Sequence, residues 1–476
     1  MPKRVIVIGG GITGLSAAHR LAELNRDRDL DLEILLLERS DRTGGVISTV
    51  ERDGFTIEDG PDSFITSKPW GLNLSSRLGL DNELIETNRD KRRTYVLLHG
   101  RLVPLPDGFI MLAPTRIIPF LRTPLFSWRG KMRMLMDLVI PRNPPADESL
   151  ASFVRRRLGR EALERAAQPM IGGVYTADPE KLSLRATMPQ FLEMEERYGS
   201  VIKGMYQGYR KNRKRKKGVM PDSGARYSLF VSFKKGMKTL VEALVREIPE
   251  GSIKTGVAVE GIKEAYDGWE VTTGDGILNA EGVIVTTPAY ITAGLLENAA
   301  GGCAALLRKI EYASTAVVIL AYRKEQIEIE LGGFGFVVPR TERSSMIACS
   351  FSSEKFPGRA PQGFTVLRIF VGGALDPDTY KMEDPRIIET VRKEIDSLLG
   401  IKSDPVFTIM KRYPGAMPQY HVGHRELVEG IQREIKKLYG LEIAGNAFGG
   451  VGIPDCINSG ERAAERVLQS LYAVHF

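Results

Sequence analysis

The sequence predicts a mixed α/β and α+β architecture in which one parallel-sheet domain is assembled from three separated stretches of chain. Three observations predict it. Near the amino terminus a run of apolar β-formers, Val5-Ile6-Val7-Ile8, enters a glycine turn, then a helical pattern and a second apolar run ending in Glu38. Between about 228 and 300 a helix start precedes alternating strands and a buried strand. At the carboxyl end a short strand, a glycine turn and a helix follow one another. Strands and helices alternating in this way build parallel sheets covered by helices.

In the first stretch, Gly9-Gly10-Gly11-Ile12-Thr13-Gly14 separates strand from helix. Gly9 suits the tight turn, Gly11 lets the backbone approach a diphosphate with no Cβ in the way, and Gly14 lets the helix pack close on the strand. The helix amino terminus that follows supplies N–H groups without intrahelical partners. Glu38 stands at close to the spacing expected of a carboxylate that accepts from a ribose 2′-hydroxyl, with Arg39 beside it. The order predicts a Rossmann-like, dinucleotide-binding unit. The competing reading is a glycine-rich turn in an ordinary parallel sheet.

The second stretch reads as a helix from Gly236 to Leu244. Strands follow at Ser252-Ile253-Lys254-Thr255-Gly256-Val257-Ala258-Val259 and Gly268-Trp269-Glu270-Val271-Thr272-Thr273, and a buried strand runs from Gly282 into Pro288. The third carries the strand Leu441-Glu442-Ile443-Ala444 and a helix through Gly460 to Leu471. Two insertions lie between. Helical patterns fill about 85 to 227, and strands such as 315–322 with a late helix near 385–399 fill about 300 to 430. The domains expected are therefore a discontinuous cofactor domain (1–66, 228–300, 431–476), a mixed-sheet substrate domain (67–95, 301–430) and a helical domain (96–227).

A chain of 476 residues with 43% hydrophobic and 26% charged residues suits two or three globular domains. Cys303, Cys349 and Cys456 are far apart and odd in number, which fits a reducing compartment and argues against zinc or disulfides. No secretory leader and no apolar run long enough to span a bilayer are read. The net charge of +7 concentrates in Arg210-Lys211-Asn212-Arg213-Lys214-Arg215-Lys216-Lys217. That block suits nucleic acid or anionic lipid; with no aromatic or base-reading motif beside it, a solvated loop is favoured and no nucleic-acid partner is expected.

Joined in order, the three stretches resemble the monoamine-oxidase-type flavoproteins. After Glu38, Arg42-Thr43-Gly44-Gly45 is similar to their second glycine pair, and Gly60-Pro61-Asp62-Ser63 to a loop along the isoalloxazine. Val257 matches the position whose backbone meets adenine, and Gly450-Val451-Gly452-Ile453 matches the carboxy-terminal flavin motif. There a helix amino terminus faces the ring's N1/O2 edge. Longer strings resemble bacterial protoporphyrinogen/coproporphyrinogen oxidases nearly end to end. They are Gly172-Gly173-Val174-Tyr175-Thr176-Ala177-Asp178-Pro179, Lys181-Leu182-Ser183, Met417-Pro418-Gln419-Tyr420-His421-Val422-Gly423-His424 and Gly450-Val451-Gly452-Ile453-Pro454-Asp455-Cys456-Ile457.

This resemblance implies a p-cresol methylhydroxylase/amine-oxidase-type FAD domain. It also implies six-electron oxidation of coproporphyrinogen III or protoporphyrinogen IX in haem synthesis, with O2 as acceptor and H2O2 as product. The location implied is cytoplasmic, with peripheral contact on the inner face of the cell membrane and contact with the next haem-synthesis enzyme. No catalytic side chain is expected, because flavin N5 takes the hydride. Lys68 matches a cationic position of the family, suited to the substrate's propionates; a solvated surface lysine is the rival reading. Tyr413 falls where relatives place an aromatic near the flavin, with a core aromatic as rival. His421 and His424 lack a third ligand nearby, so no metal is expected. Residues 109–126 read as a core wall or an interfacial patch, with core favoured. Three alternatives stay open: an amine oxidase of the same fold, a carotenoid desaturase, and a flavin-containing scaffold that uses the basic block.

Overall fold

The structure, a computed structural model, describes residues 2–110, 113–143, 147–218 and 229–472. The chain divides into two compact units, Met1–Glu86 with Tyr227–Glu311 and Arg425–Phe476, and Thr87–Arg226 with Tyr312–His424.

The first unit is built on a five-stranded parallel sheet in the order Ile253–Thr255, Leu32–Glu38, Lys3–Ile8, Gly282–Val285, Leu441–Ile443. Val5, Ile6 and Val7 are wholly buried on the central strand, which is why that strand reads as an unbroken apolar run. Helices Ile12–Arg28, Lys238–Glu247 and Ile453–Tyr472 supply the apolar faces that close its core. The run read from 252 to 259 is two strands, not one. Gly256 adopts a left-handed φ of 74°, and the N–H groups of Gly256 and Val257 donate to the carbonyls of Ser40 and Glu38. The chain then leaves the parallel sheet and re-enters as Val259–Ala265, the first strand of an antiparallel three-stranded sheet with Gly268–Thr273 and Gly276–Ala280.

The second unit holds a seven-stranded mixed sheet in the order Phe407–Pro418, Tyr312–Arg323, Phe364–Gly372, Met346–Phe351, Gly335–Val337, Thr94–Leu98, Arg101–Pro104. Helix Asp384–Leu399 buries Ile387, Val391, Ile395 and Leu399, spaced four apart, into the core of that sheet. Its helical stretch is pinned by a buried ion network. Arg157 Nε donates to Asp137 at 2.6 Å with both side chains fully buried, and Arg156 joins Glu148 to Glu195. Within 109–126, Phe120, Leu125 and Phe126 are core, whereas Ile117 and Ile118 face outward. The basic block, read as a loop, lies instead on helix Val201–Gly218. Lys and Arg are good helix formers and no proline interrupts them, so charge patterning concealed a helical backbone.

Candidate functional site

The glycine turn of the first unit has the geometry its residues demand. Gly9 sits at φ 107°, and a Cβ there would stand 2.8 Å from the Thr286 hydroxyl. A Cβ on Gly14 would come within 1.9 Å of the Gly9 carbonyl oxygen, so only glycine lets helix Ile12–Arg28 start this close to the strand. A Cβ on Gly11 would meet nothing within 4 Å, which leaves that backbone approachable. Ile12 and Thr13 form the first turn, whose N–H groups have no intrahelical acceptors. Thr286, which sequence reasoning left in a strand, braces the turn by donating its hydroxyl to the Ile8 and Gly9 carbonyls at 2.8 and 3.1 Å.

Glu38 is fixed by three protein donors. The Gly10 N–H reaches Oε2 at 2.6 Å, while the Ser40 N–H and hydroxyl reach Oε1 at 2.8 and 2.6 Å. A carboxylate has about four acceptor positions, so one on Oε2 is left for a hydroxyl donor such as a ribose. Val257 lies directly beside it, its N–H donating to the Glu38 carbonyl at 2.9 Å. Arg39 is exposed.

The second glycine pair belongs to the same cluster. Gly44 donates its N–H to the Gly10 carbonyl at 2.8 Å, and a Cβ on Gly45 would lie 3.2 Å from Gly11 Cα. Arg42 folds back on this turn, donating to the carbonyls of Thr43, Gly45 and Ile47 at 2.7 to 3.2 Å. Its guanidinium thus holds the glycine loop's shape. The next loop packs on the same turn, since a Cβ on Gly60 would sit 1.8 Å from the Val46 carbonyl oxygen. Past Pro61, the Ser63 hydroxyl donates to Asp62 at 2.7 Å. A cleft of about 520 Å³ opens beside Arg42 and Thr43, and none of residues 9–14 or 450–453 lines it.

Gly450, Val451 and Gly452 lead into helix Ile453–Tyr472, whose first residue is Ile453. A Cβ on Gly450 would stand 2.4 Å from Asp455 Cγ, and one on Gly452 3.1 Å from Asp455 Oδ2. The space these glycines leave is filled by the Asp455 carboxylate, and both carboxylate oxygens accept from Lys68 Nζ at 2.6 and 2.7 Å. Lys68 is 43% exposed and Asp455 10%. Sequence reasoning singled out Lys68 and the glycines but not Asp455, whose partner Lys68 lies 387 residues away along the chain. Burial pushes the Cys456 thiol up to about 12, so no thiolate stands at this helix terminus.

In the second unit, Tyr413 lies on strand Phe407–Pro418 opposite Thr315 of Tyr312–Arg323. The strings noted in the sequence near 172–183 and 417–424 are knitted together there. The Ser183 N–H donates to the Tyr420 carbonyl at 2.7 Å and the Val422 N–H to that of Lys181 at 2.9 Å. Asp147 accepts from both the Ser183 hydroxyl and the Gly423 N–H. His424 stacks on Tyr420 with ring centroids 4.0 Å apart, and His421 is bridged to Leu182.

A phosphate-compatible helix terminus, a bare Gly11 backbone and a carboxylate with one acceptor position to spare fit a dinucleotide. A family model described as flavin-containing amine oxidoreductase matches residues 12–468. The coproporphyrinogen III oxidase of Bacillus subtilis (strain 168) is 36% identical over 474 residues, covering 99% of each chain. That of Staphylococcus aureus (strain NCTC 8325 / PS 47) is 35% identical over 481 residues, 99% of this chain and 100% of the relative. Among solved structures, a provisional protoporphyrinogen oxidase from Exiguobacterium sp. 255-15 matches with a TM-score of 0.86 at 31% identity, over 98% of this chain and 99% of that one. The cofactor is FAD, and the chain belongs to the flavin-containing amine oxidoreductase family, in the group that holds these coproporphyrinogen III oxidases.

Proposed function

We propose that this chain oxidises a porphyrinogen to the porphyrin in haem synthesis, with coproporphyrinogen III as preferred substrate, O2 as electron acceptor and H2O2 as product. The observation that carries it is the end-to-end identity with coproporphyrinogen III oxidases, 36% over 99% of both chains. When bound, FAD supplies a two-electron acceptor for hydride from a meso carbon. The chain's own part is placement. Glu38 and the N–H groups of residues 12–14 hold the adenosine and diphosphate side, braced by Arg42 and Thr286, while Val257 borders the adenine. Gly44, Gly45, residues 60–63 and 450–453 shape the flavin side. Lys68 contacts a substrate propionate, and Tyr413 carries the family's aromatic position. Because pyrrole N–H protons leave through tautomerisation to solvent, a dedicated base is unnecessary, and the deeply protonated cysteines supply none.

We also place the protein in the cytoplasm with a peripheral contact on the membrane, and in contact with the enzyme that takes up its porphyrin. No helix among the described residues is long and apolar enough to cross a membrane. Ile117, Ile118, Trp128, Met132 and Val139 nevertheless expose 58 to 78% of their surface in one stretch of the second unit, with exposed Arg122 and Arg129 among them. Exposed apolar side chains interspersed with cations suit the surface of an anionic bilayer.

The test is to load the protein with FAD and follow porphyrin fluorescence from coproporphyrinogen III and protoporphyrinogen IX in parallel. Faster porphyrin formation from coproporphyrinogen III is expected; no porphyrin from either substrate overturns the proposal.

A further inference from the structure

Lys68 is not a lone cation at the surface. Its ammonium meets both oxygens of Asp455 at 2.6 and 2.7 Å. That carboxylate occupies the volume which a side chain at Gly450 or Gly452 would need: a Cβ on Gly450 would lie 2.4 to 2.8 Å from its Cγ and both oxygens. The Lys68 backbone is located as well. It precedes helix Trp70–Arg77, where a Cβ on Gly71 would stand 2.8 Å from the Phe64 ring and 3.3 Å from Pro454. The far end of that helix is tied to the same last helix by the pair Arg77–Glu461. One helix thus docks on Ile453–Tyr472 through an ion pair at each end, and the glycines of the 450–453 turn make room for the first of them.

We propose that Asp455 is a positioning residue for Lys68. It sets where the ammonium sits and cancels its charge, so that Lys68 acts as a register contact for one substrate carboxylate and not as an electrostatic trap. A porphyrinogen with four propionates carries about four negative charges at neutral pH. An uncompensated cation would hold it, and its equally charged product, tightly and with strong salt dependence. The Asp455 carboxylate prevents that and favours release. This inference rests on the proposed porphyrinogen oxidase reading.

The test titrates FAD-loaded protein with coproporphyrin III and protoporphyrin IX by fluorescence, from low to high salt, and measures kcat and KM on the matching porphyrinogens. Asp455→Asn is expected to tighten coproporphyrin binding severalfold at low salt, to steepen its salt dependence, and to lower KM and kcat together. The two-carboxylate porphyrin gains less. Asp455→Glu retains the pair and returns these values toward wild type. Lys68→Gln leaves an uncompensated carboxylate and weakens coproporphyrin binding, while the double variant Lys68→Gln/Asp455→Asn recovers much of it. Unchanged or weaker coproporphyrin binding in Asp455→Asn, or a double variant no better than Lys68→Gln, overturns the inference. If Asp455→Asn does not fold, the comparison of Lys68→Gln with Asp455→Glu decides: no difference in salt dependence overturns it. An active wild type with those negative results sinks this inference alone, whereas a wild type that makes no porphyrin sinks the functional reading and this inference with it.

Discussion

At the scale of single residues, most of the candidate site is local chemistry, which is why its geometry could be anticipated. Gly9, Gly11 and Gly14 answer demands made within a few residues, a turn, a bare backbone and a helix start, and Glu38 is the next strand's end. Asp455 and Thr286 were not legible, since their roles depend on Lys68 and Gly9, far away along the chain. His19 offers a test at this scale. It is 3% exposed on the first helix, and its Nδ1 has no hydrogen-bond partner and lies 3.7 Å from Glu23. Burial lowers its pKa from the ordinary 6.5, more than Glu23 raises it. Between its folded pKa and that value, the folded protein therefore binds fewer protons than the unfolded chain. Stability is full above about pH 6.5, is lost as pH falls from there toward the folded pKa, and levels off beneath it. Urea midpoints from pH 7.5 down to 5.5 are expected to fall in wild type and to fall less in His19→Gln; equal slopes would contradict the assignment.

Among elements, the close seat of the last helix on the first depends on one missing methyl group. A Cβ on Gly460 would stand 2.2 Å from the Thr13 carbonyl oxygen, so a larger residue must push the two helices apart next to the glycine turn. Gly460→Ala is expected to cost about 1–3 kcal/mol in urea unfolding and to weaken FAD retention on gel filtration. Wild-type values for both would show that the packing yields without reaching the site. The parallel strands were readable from apolar runs because both faces of that sheet are buried. The split at Gly256 and the helix beneath the basic block were not, because the first depends on hydrogen bonds to Ser40 and Glu38 and the second on backbone propensity masked by charge.

Over the whole molecule, the three α/β stretches come together in one unit, and the family strings near 172–183 and 417–424 meet in the other, each across long intervening stretches of chain. The exposed patch around Trp128 is a property of this scale too, since only folding sorts Phe120 and Phe126 inward from Ile117 and Trp128 outward. Burying one large aromatic contributes on the order of 1.5–3 kcal/mol. Trp128→Ala is therefore expected to weaken binding to phosphatidylserine-containing vesicles about tenfold or more in co-sedimentation. Equal binding by the variant, or none by wild type, would remove the membrane contact. The central claim is best tested by redox stoichiometry. Aromatisation of a porphyrinogen removes six electrons, and reduction of O2 to H2O2 consumes two. FAD-loaded protein given coproporphyrinogen III under air is predicted to release three H2O2 for each coproporphyrin III formed, as O2 falls in step. Flavin-loaded protein that forms no porphyrin, or forms it without consuming O2, would contradict the account.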